Sequence, residues 1–162
     1  MLEKFHVAQK DIVHVEEKRL RSVTKEILMT QGIPEKDAIL ATDALIKADL
    51  RGVESHGVSN MLRAYLGAFK SNSLNPKPNW KIVKETPSCA TINSDNGLGI
   101  VVAPQAMEIA VEKAKKTGAG IVTMNNCGHL GMLAYHSMIA SDNDMIGTTT
   151  VSYTHLRAHE TY

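Results

Sequence analysis

Leu50-Arg51-Gly52-Val53-Glu54-Ser55-His56-Gly57 is the stretch on which the reading of this chain turns. The residues ahead of it keep a helical apolar spacing and the first glycine interrupts them, so a helix is expected to end where the stretch begins. A hydroxyl and an imidazole, Ser55 and His56, then stand side by side between Gly52 and Gly57. Imidazole is the side chain that most readily gives or takes a proton near neutral pH. The flanking glycines let the backbone turn sharply and let a small substrate come close. Ser-His-Gly also occurs by chance, so its weight depends on what surrounds it.

Upstream, Pro34 opens a helix at a position where a missing N–H costs little, and the helix runs through Ala38, Leu45 and Ile46 to about Leu50. Before it, residues 15–31 read as a first helix, with Leu20, Val23, Ile27 and Leu28 on one stripe and Gly32 as its stop. Downstream, Leu62, Leu66 and Phe69 give a third helix its apolar face, with Asn60, Arg63 and Lys70 on the other side. Asn75-Pro76-Lys77-Pro78 breaks this pattern. After it come short strands over 80–83 and 89–92 and a tight turn, Asp95-Asn96-Gly97-Leu98-Gly99. A helix over 101–117 should turn Met107, Ala110, Val111 and Ala114 inward and Glu108, Glu112, Lys113 and Lys116 outward, with Glu112 and Lys116 paired four residues apart. Gly118-Ala119-Gly120 stops it. A buried strand over 121–124, a helix over 131–140 and a strand over 145–151 follow. The fold class expected is mixed α/β (α+β), with a helical N-terminal section over 1–75, a partial α/β domain over 76–151 and a tail over 152–162.

Composition sets outer limits. The chain has 162 residues, 43% hydrophobic and 22% charged, as for an ordinary globular chain. Eighteen basic against seventeen acidic residues leave no basic face for nucleic acid. No apolar run approaches the length of a membrane span, and residues 1–10 lack a signal-peptide core. Two cysteines, Cys89 and Cys127, are too few for a disulfide framework; they read as small core fillers in a reduced, cytoplasmic protein. The tail from Ser152 to Tyr162 has no hydrophobic period and resembles a sequencing-adapter read-through, which deprives His155 and His159 of a role. On that reading the natural protein continues past Thr150 and this chain is its front portion.

Other segments bear on chemistry. Asn125-Asn126-Cys127-Gly128-His129-Leu130-Gly131 lies between a strand and a helix, a junction where backbone N–H groups favour an anionic ligand. His129 there is open to two readings, contact with a substrate carbonyl or cofactor phosphate, or capping of a turn; spacing alone favours the turn. His129 and His136 are one helical face apart, yet no His-Glu-x-x-His pattern or cluster of Asp or Cys supports a metal, and none is expected. The Gly97-Leu98-Gly99 turn lacks the third glycine and the distant acid of a dinucleotide fingerprint. Arg63, about two helical turns past His56, suits a carboxylate with its planar fork, but spacing alone favours a solvated arginine on a helix face.

Taken together, the chain resembles the second type of malate/L-lactate dehydrogenase, the group that includes ureidoglycolate, diketogulonate and sulfolactate dehydrogenases. The matching stretches are Ala48-Asp49 with the opening motif, Leu62-Arg63-Ala64-Tyr65, Asn75-Pro76-Lys77-Pro78, Asp95-Asn96-Gly97-Leu98-Gly99 and Asn125 to Gly131, in order, over residues 18–150. The resemblance implies hydride transfer between NAD or NADP and a small 2-hydroxy or 2-oxo acid, on a fold that is not a Rossmann fold, in a homodimer. It implies that His56 is the catalytic histidine with Ser55 as its orienting hydroxyl. It further implies that His129 lies in the substrate and cofactor region, and that Leu130, Gly131, Met132 and Leu133 approach the cofactor. Many members carry an arginine four residues after the catalytic histidine; here that position is Asn60, and Arg63 matches another family arginine. Asn60 and Arg63 are therefore the substrate-side candidates. The family chain is about twice this length, and the missing half holds much of the cofactor site. The rival expectation is a catalytically inactive dimerisation and substrate-side module.

Overall fold

The computed structural model describes residues 12–151. The tail reading, with His155 and His159, and the signal-peptide reading of residues 1–10 lie outside them. The fold is mixed α/β, with helices first and a small sheet after. Helix α1 (Glu17–Thr30) ends where Gly32 takes a left-handed φ of +86°, a conformation glycine adopts without strain. Helix α2 (Glu35–Leu50) begins just after Pro34, as expected. Its buried face is made of small residues, Ala38, Ala41, Ala44 and Ala48, around Leu45, so neighbouring elements come close to its backbone. On α1 the buried residues are Thr24 and Leu28, whereas Val23, placed on the inner stripe by periodicity, is 45% exposed. Helix α3 (Arg63–Lys70) buries Tyr65 and Phe69, one turn apart.

Strands β1 (Lys81–Glu85), β2 (Cys89–Gly97) and β3 (Ile121–Cys127) form one sheet in that order. β1 runs antiparallel to β2, and β2 runs parallel to β3 across helix α4 (Gly99–Thr117). Helix α5 (Leu133–Ser141) closes the described fold. The main core joins Leu28, Leu45, Tyr65 and Phe69 to Leu98, Ile100, Val101, Met132 and Tyr135, so the early helices pack on the first turn of α4 and the start of α5. A smaller cluster of Ile92, Val102 and Ala106 lies between the sheet and α4.

Five further expectations change. The strand expected to be buried over 121–124 forms within β3 but is not buried: Ile121 is 60% exposed and Val122 and Met124 are half-buried, because β3 lies at the outer end of the described sheet. Residues 95–97 are not a free turn but the bulged end of β2, where Asp95 and Asn96 take φ of +52° and +54° and the register with β3 slips between Asn93 and Gly97. Asp and Asn tolerate that region because their short side chains bond locally. Asp95 Oδ2 accepts from Asn75 Nδ2 and from the Asn79 amide, each at 2.9 Å, which pins the Asn-Pro-Lys-Pro segment to the bulge. Lys113, expected outward, is 8% exposed; its ammonium donates to Glu85 Oε1 and to the Thr86 carbonyl, both at 2.8 Å. The long stem buries while the charged end finds partners on β1 and the residue after it. Glu112 pairs with Lys115 at 2.7 Å, three residues on, and not with Lys116. Residues 145–151 form no strand: Ile146 is fully exposed, and Ser137 Oγ on α5 donates to Thr149 Oγ1, so the segment is tied to a helix and pairs with none of the described strands.

Candidate active site

The Ser-His turn grows out of the end of α2. The Val53 amide donates back to the Ala48 carbonyl (2.8 Å), Gly52 takes φ +70°, and Glu54–His56 forms a single 3₁₀ turn. Val58–Leu62 follows as a short π-wound segment leading into α3. Ser55 Oγ and His56 Nδ1 lie 2.8 Å apart, a hydrogen bond that fixes the ring and leaves Nε2 at its other end. Two further side chains brace this turn. Asp49 Oδ2 accepts the Val58 amide (2.9 Å), and a Cβ on Gly57 would land on the Asp49 carboxylate, so a larger residue fits there only if that side chain moves. Burial pushes the Asp49 carboxyl up, and the Val58 amide pulls it partly back. Asn60 Nδ2 donates to the Glu54 carbonyl (2.8 Å), so the amide at the family's arginine position is tied to the turn itself.

The His129 loop follows β3 and is shaped by close backbone packing. The Gly128 amide donates to the Gly97 carbonyl at 2.9 Å. A Cβ on Gly99 would meet the carbonyls of Gly128 and His129, and one on Gly131, at φ +67°, would press on the Ile100 side chain. The loop therefore lies directly on the first turn of α4, and the Gly97-Leu98-Gly99 motif is its floor. Tyr65 OH on α3 is 2.9 Å from His129 Nδ1, and the Gly131 amide donates to the same nitrogen at 3.3 Å. His136 Nε2 on α5 donates to the Leu130 carbonyl at 2.7 Å. Met132 is buried, and Leu133 opens α5 half-buried, with no side chain capping that helix.

These two segments meet. The rings of His56 and His129 stack with centroids 5.4 Å apart and planes 17° from parallel. His56 is half-buried and His129 exposed, so the pair opens to solvent on a surface shared with the Asn-Asn-Cys-Gly loop. Burial of its inner edge lowers the His129 pKa, and neighbouring His56 lowers it further. Burial raises the Tyr65 phenol far above its ordinary value, so it stays protonated. Arg63, the first residue of α3, is exposed and enters no ion pair among the described residues. His136 is 1% exposed and faces Tyr135 edge-on at 5.5 Å; it is a buried brace, and His129 sits on the loop, not on the helix with it. Among the described residues no three His, Cys, Asp or Glu gather to hold a metal. None is part of a helix long and apolar enough to cross a membrane.

Two residues of this arrangement went unassigned in the sequence. Tyr65 reads as one more apolar-face residue beside Phe69, and Asp49 as a helix-end acid. Only the tertiary neighbours, His129 and Gly57, show their use. The combination of Asp49 six residues ahead of Ser55 with glycine at 57 is a usable signal.

A mixed α/β chain without a dinucleotide glycine fingerprint, presenting two stacked imidazoles at a helix junction, defines a narrow class of site. The family model described as malate/L-lactate dehydrogenase matches residues 15–159, and the chain belongs to that family. It is similar to the L-sulfolactate dehydrogenase of Methanocaldococcus jannaschii, at 45% identity over 124 residues covering 76% of this chain and 36% of the relative. It is also similar to the malate dehydrogenase of Pyrococcus abyssi, at 42% over 147 residues, 91% of this chain and 40% of the relative. The solved malate dehydrogenase of Pyrococcus horikoshii OT3 superposes with a TM-score of 0.81 at 40% identity, over 88% of this chain and 40% of that one. The chain thus spans between 36% and 40% of the length of these relatives.

Proposed function

We propose that the protein is a dehydrogenase of small 2-hydroxy acids and that this chain holds its proton-transfer side. The observation that carries the reading is the stack of His56 on His129, two imidazoles each fixed at Nδ1 by a hydroxyl and both open to solvent. In reduction of a 2-oxo acid, His56 as imidazolium gives a proton to the carbonyl oxygen; in oxidation the neutral ring removes the hydroxyl proton. Ser55 holds the ring in the orientation this needs. Arg63, exposed at the start of α3 with a fork that fits two oxygens, would pair with the substrate carboxylate. Asn60 stands on the same segment and shapes the substrate side through its bond to the Glu54 carbonyl.

The start of α5 is compatible with a nicotinamide nucleotide: like the other described helices it has no side-chain cap, and its amides ahead of the bonded Tyr135 amide suit an anionic group. NAD or NADP, when bound, would exchange a hydride with the substrate carbon. His129, Leu130, Gly131, Met132 and Leu133 would hold it, the glycine keeping the backbone close, half-buried Leu133 supplying apolar surface and core-buried Met132 backing the loop from beneath. The reading extends to a homodimer working in the cytoplasm; exposed Ile39 and Leu50 on α2 suit a covered surface. The 162-residue chain by itself supplies only one side of the reaction.

The test is to follow NADH and NADPH oxidation by the longest gene product that carries this chain, against a panel of 2-oxo acids. Turnover of at least one acid, with none by the 162-residue chain, is the expected result. No turnover with any of them ends the proposal.

A further inference from the structure

We propose that Tyr65 is a positioning residue that, with the Gly131 amide, holds His129 as the neutral tautomer protonated at Nε2. The argument is one of donor counting. A backbone amide can only donate, and the Gly131 N–H points at His129 Nδ1 from 3.3 Å. Nδ1 must therefore be an acceptor, and the proton of the neutral ring sits on Nε2. Tyr65 OH, 2.9 Å from the same nitrogen, is left with the donor role. The phenol is 2% exposed and keeps its proton, so nothing in the site converts it to an acceptor anion. Protonating Nδ1 would set a ring N–H against the Gly131 N–H and force the Tyr65 hydroxyl to turn round. The titratable groups packed against the ring are His56, from the turn after α2, and Tyr65, from α3. His56 adds a further penalty to a second imidazolium in the stack.

The consequence is a division of labour. His56 is bonded at Nδ1 by a serine hydroxyl that donates or accepts equally well, so that bond does not fix its tautomer. His129 is kept as a fixed Nε2–H donor. What that donor does in the reaction, a hydrogen bond to a substrate or cofactor oxygen, rests on the function proposed above. The tautomer itself does not, because it is read on the chain with no substrate present.

The experiment is nitrogen-15 NMR of the histidine rings in the 162-residue chain, with ring signals assigned through His129→Gln. Expected in the unaltered chain at neutral pH is a His129 ring with bare Nδ1 and protonated Nε2. In Tyr65→Phe the bare-Nδ1 form should lose population, and the His129 titration midpoint should rise by about 0.5–1 pH unit, the worth of one hydrogen bond. The His56 ring, its Ser55 bond intact, serves as the internal comparison and should keep its tautomer. A wild-type His129 protonated at Nδ1 overturns the proposal whether or not Tyr65→Phe folds. A folded Tyr65→Phe chain with an unmoved His129 spectrum overturns the role of Tyr65. Absence of dehydrogenase activity in the longer gene product would leave both readouts unchanged.

Discussion

The two segments that carry the imidazoles differ in what bounds them most tightly, although side chains also brace the second and backbone bonds the first. The His56 turn is held by side chains: Asp49 on the Val58 amide, Asn60 on the Glu54 carbonyl, Ser55 on the ring itself. The His129 loop is held by backbone lying on backbone, with Gly99 under the carbonyls of Gly128 and His129 and the Gly128 amide on Gly97. Side-chain ties are adjusted one at a time and in small steps. Backbone contact has no such give, because relieving it means moving a strand or a helix. The ring proposed to transfer the proton thus sits on the adjustable segment and its companion on the rigid one.

The largest effect expected is on chemistry. His56→Ala in an active enzyme should lower turnover by about 10²–10⁴-fold, roughly 3–5 kcal/mol of barrier, with the fold intact by circular dichroism. Unchanged turnover removes His56 from the mechanism. Next comes Gly99→Ala, where the new methyl has only main-chain carbonyls to push against. A loss of about 3 kcal/mol in urea unfolding is expected. Gly57→Ala clashes instead with the Asp49 side chain, and this sharpens the contrast. Asp49→Ala alone should cost about 1–2 kcal/mol by leaving the Val58 amide unbonded. Added to Gly57→Ala it should recover stability, a non-additivity that a double-mutant cycle measures. Strict additivity there would show that the turn is as unyielding as the loop.

The smallest effect is a pH dependence confined to the loop's support. Burial lowers the His136 pKa in the fold, so below about pH 6.5 the unfolded chain binds a proton that the folded chain refuses. Stability should therefore fall as pH drops through that window, by up to about 1.4 kcal/mol per pH unit for each such proton. His129, lowered in the same direction, adds to it. His136→Gln, which keeps a donor for the Leu130 carbonyl, should flatten the slope; an unchanged slope in thermal unfolding between pH 5 and 7 assigns it elsewhere.

Much of the architecture was legible in residue order. Helices α1, α2 and α4 announce themselves by apolar spacing and by Gly32, Pro34 and Gly118 at their ends, because those signals act within a few residues. The family match agrees with the resemblance read from five ordered motifs. What failed to show was whatever depends on a distant partner. Lys113 looks like a surface lysine until Glu85 and the Thr86 carbonyl are brought under it. Asp95 and Asn96 spell a turn in any local reading, and only pairing with β3 makes them the end of a strand. Residues 145–151 have strand-like composition but are tied to α5 through Ser137 and Thr149 and join no described strand. Tyr65 and Asp49 carry no local sign of their roles, because each acts on a residue whose position is fixed by other elements.

The parallel pairing of β2 with β3 across α4 is a local unit, whereas the imidazole stack joins segments far apart along the chain. Short-range units form quickly, and long loops close late. The α1–α2 pair and the β2–α4–β3 unit can each organise before they dock. In refolding, the proximity of the two rings would then be among the last features to mature, a natural clock for the completion of the native state.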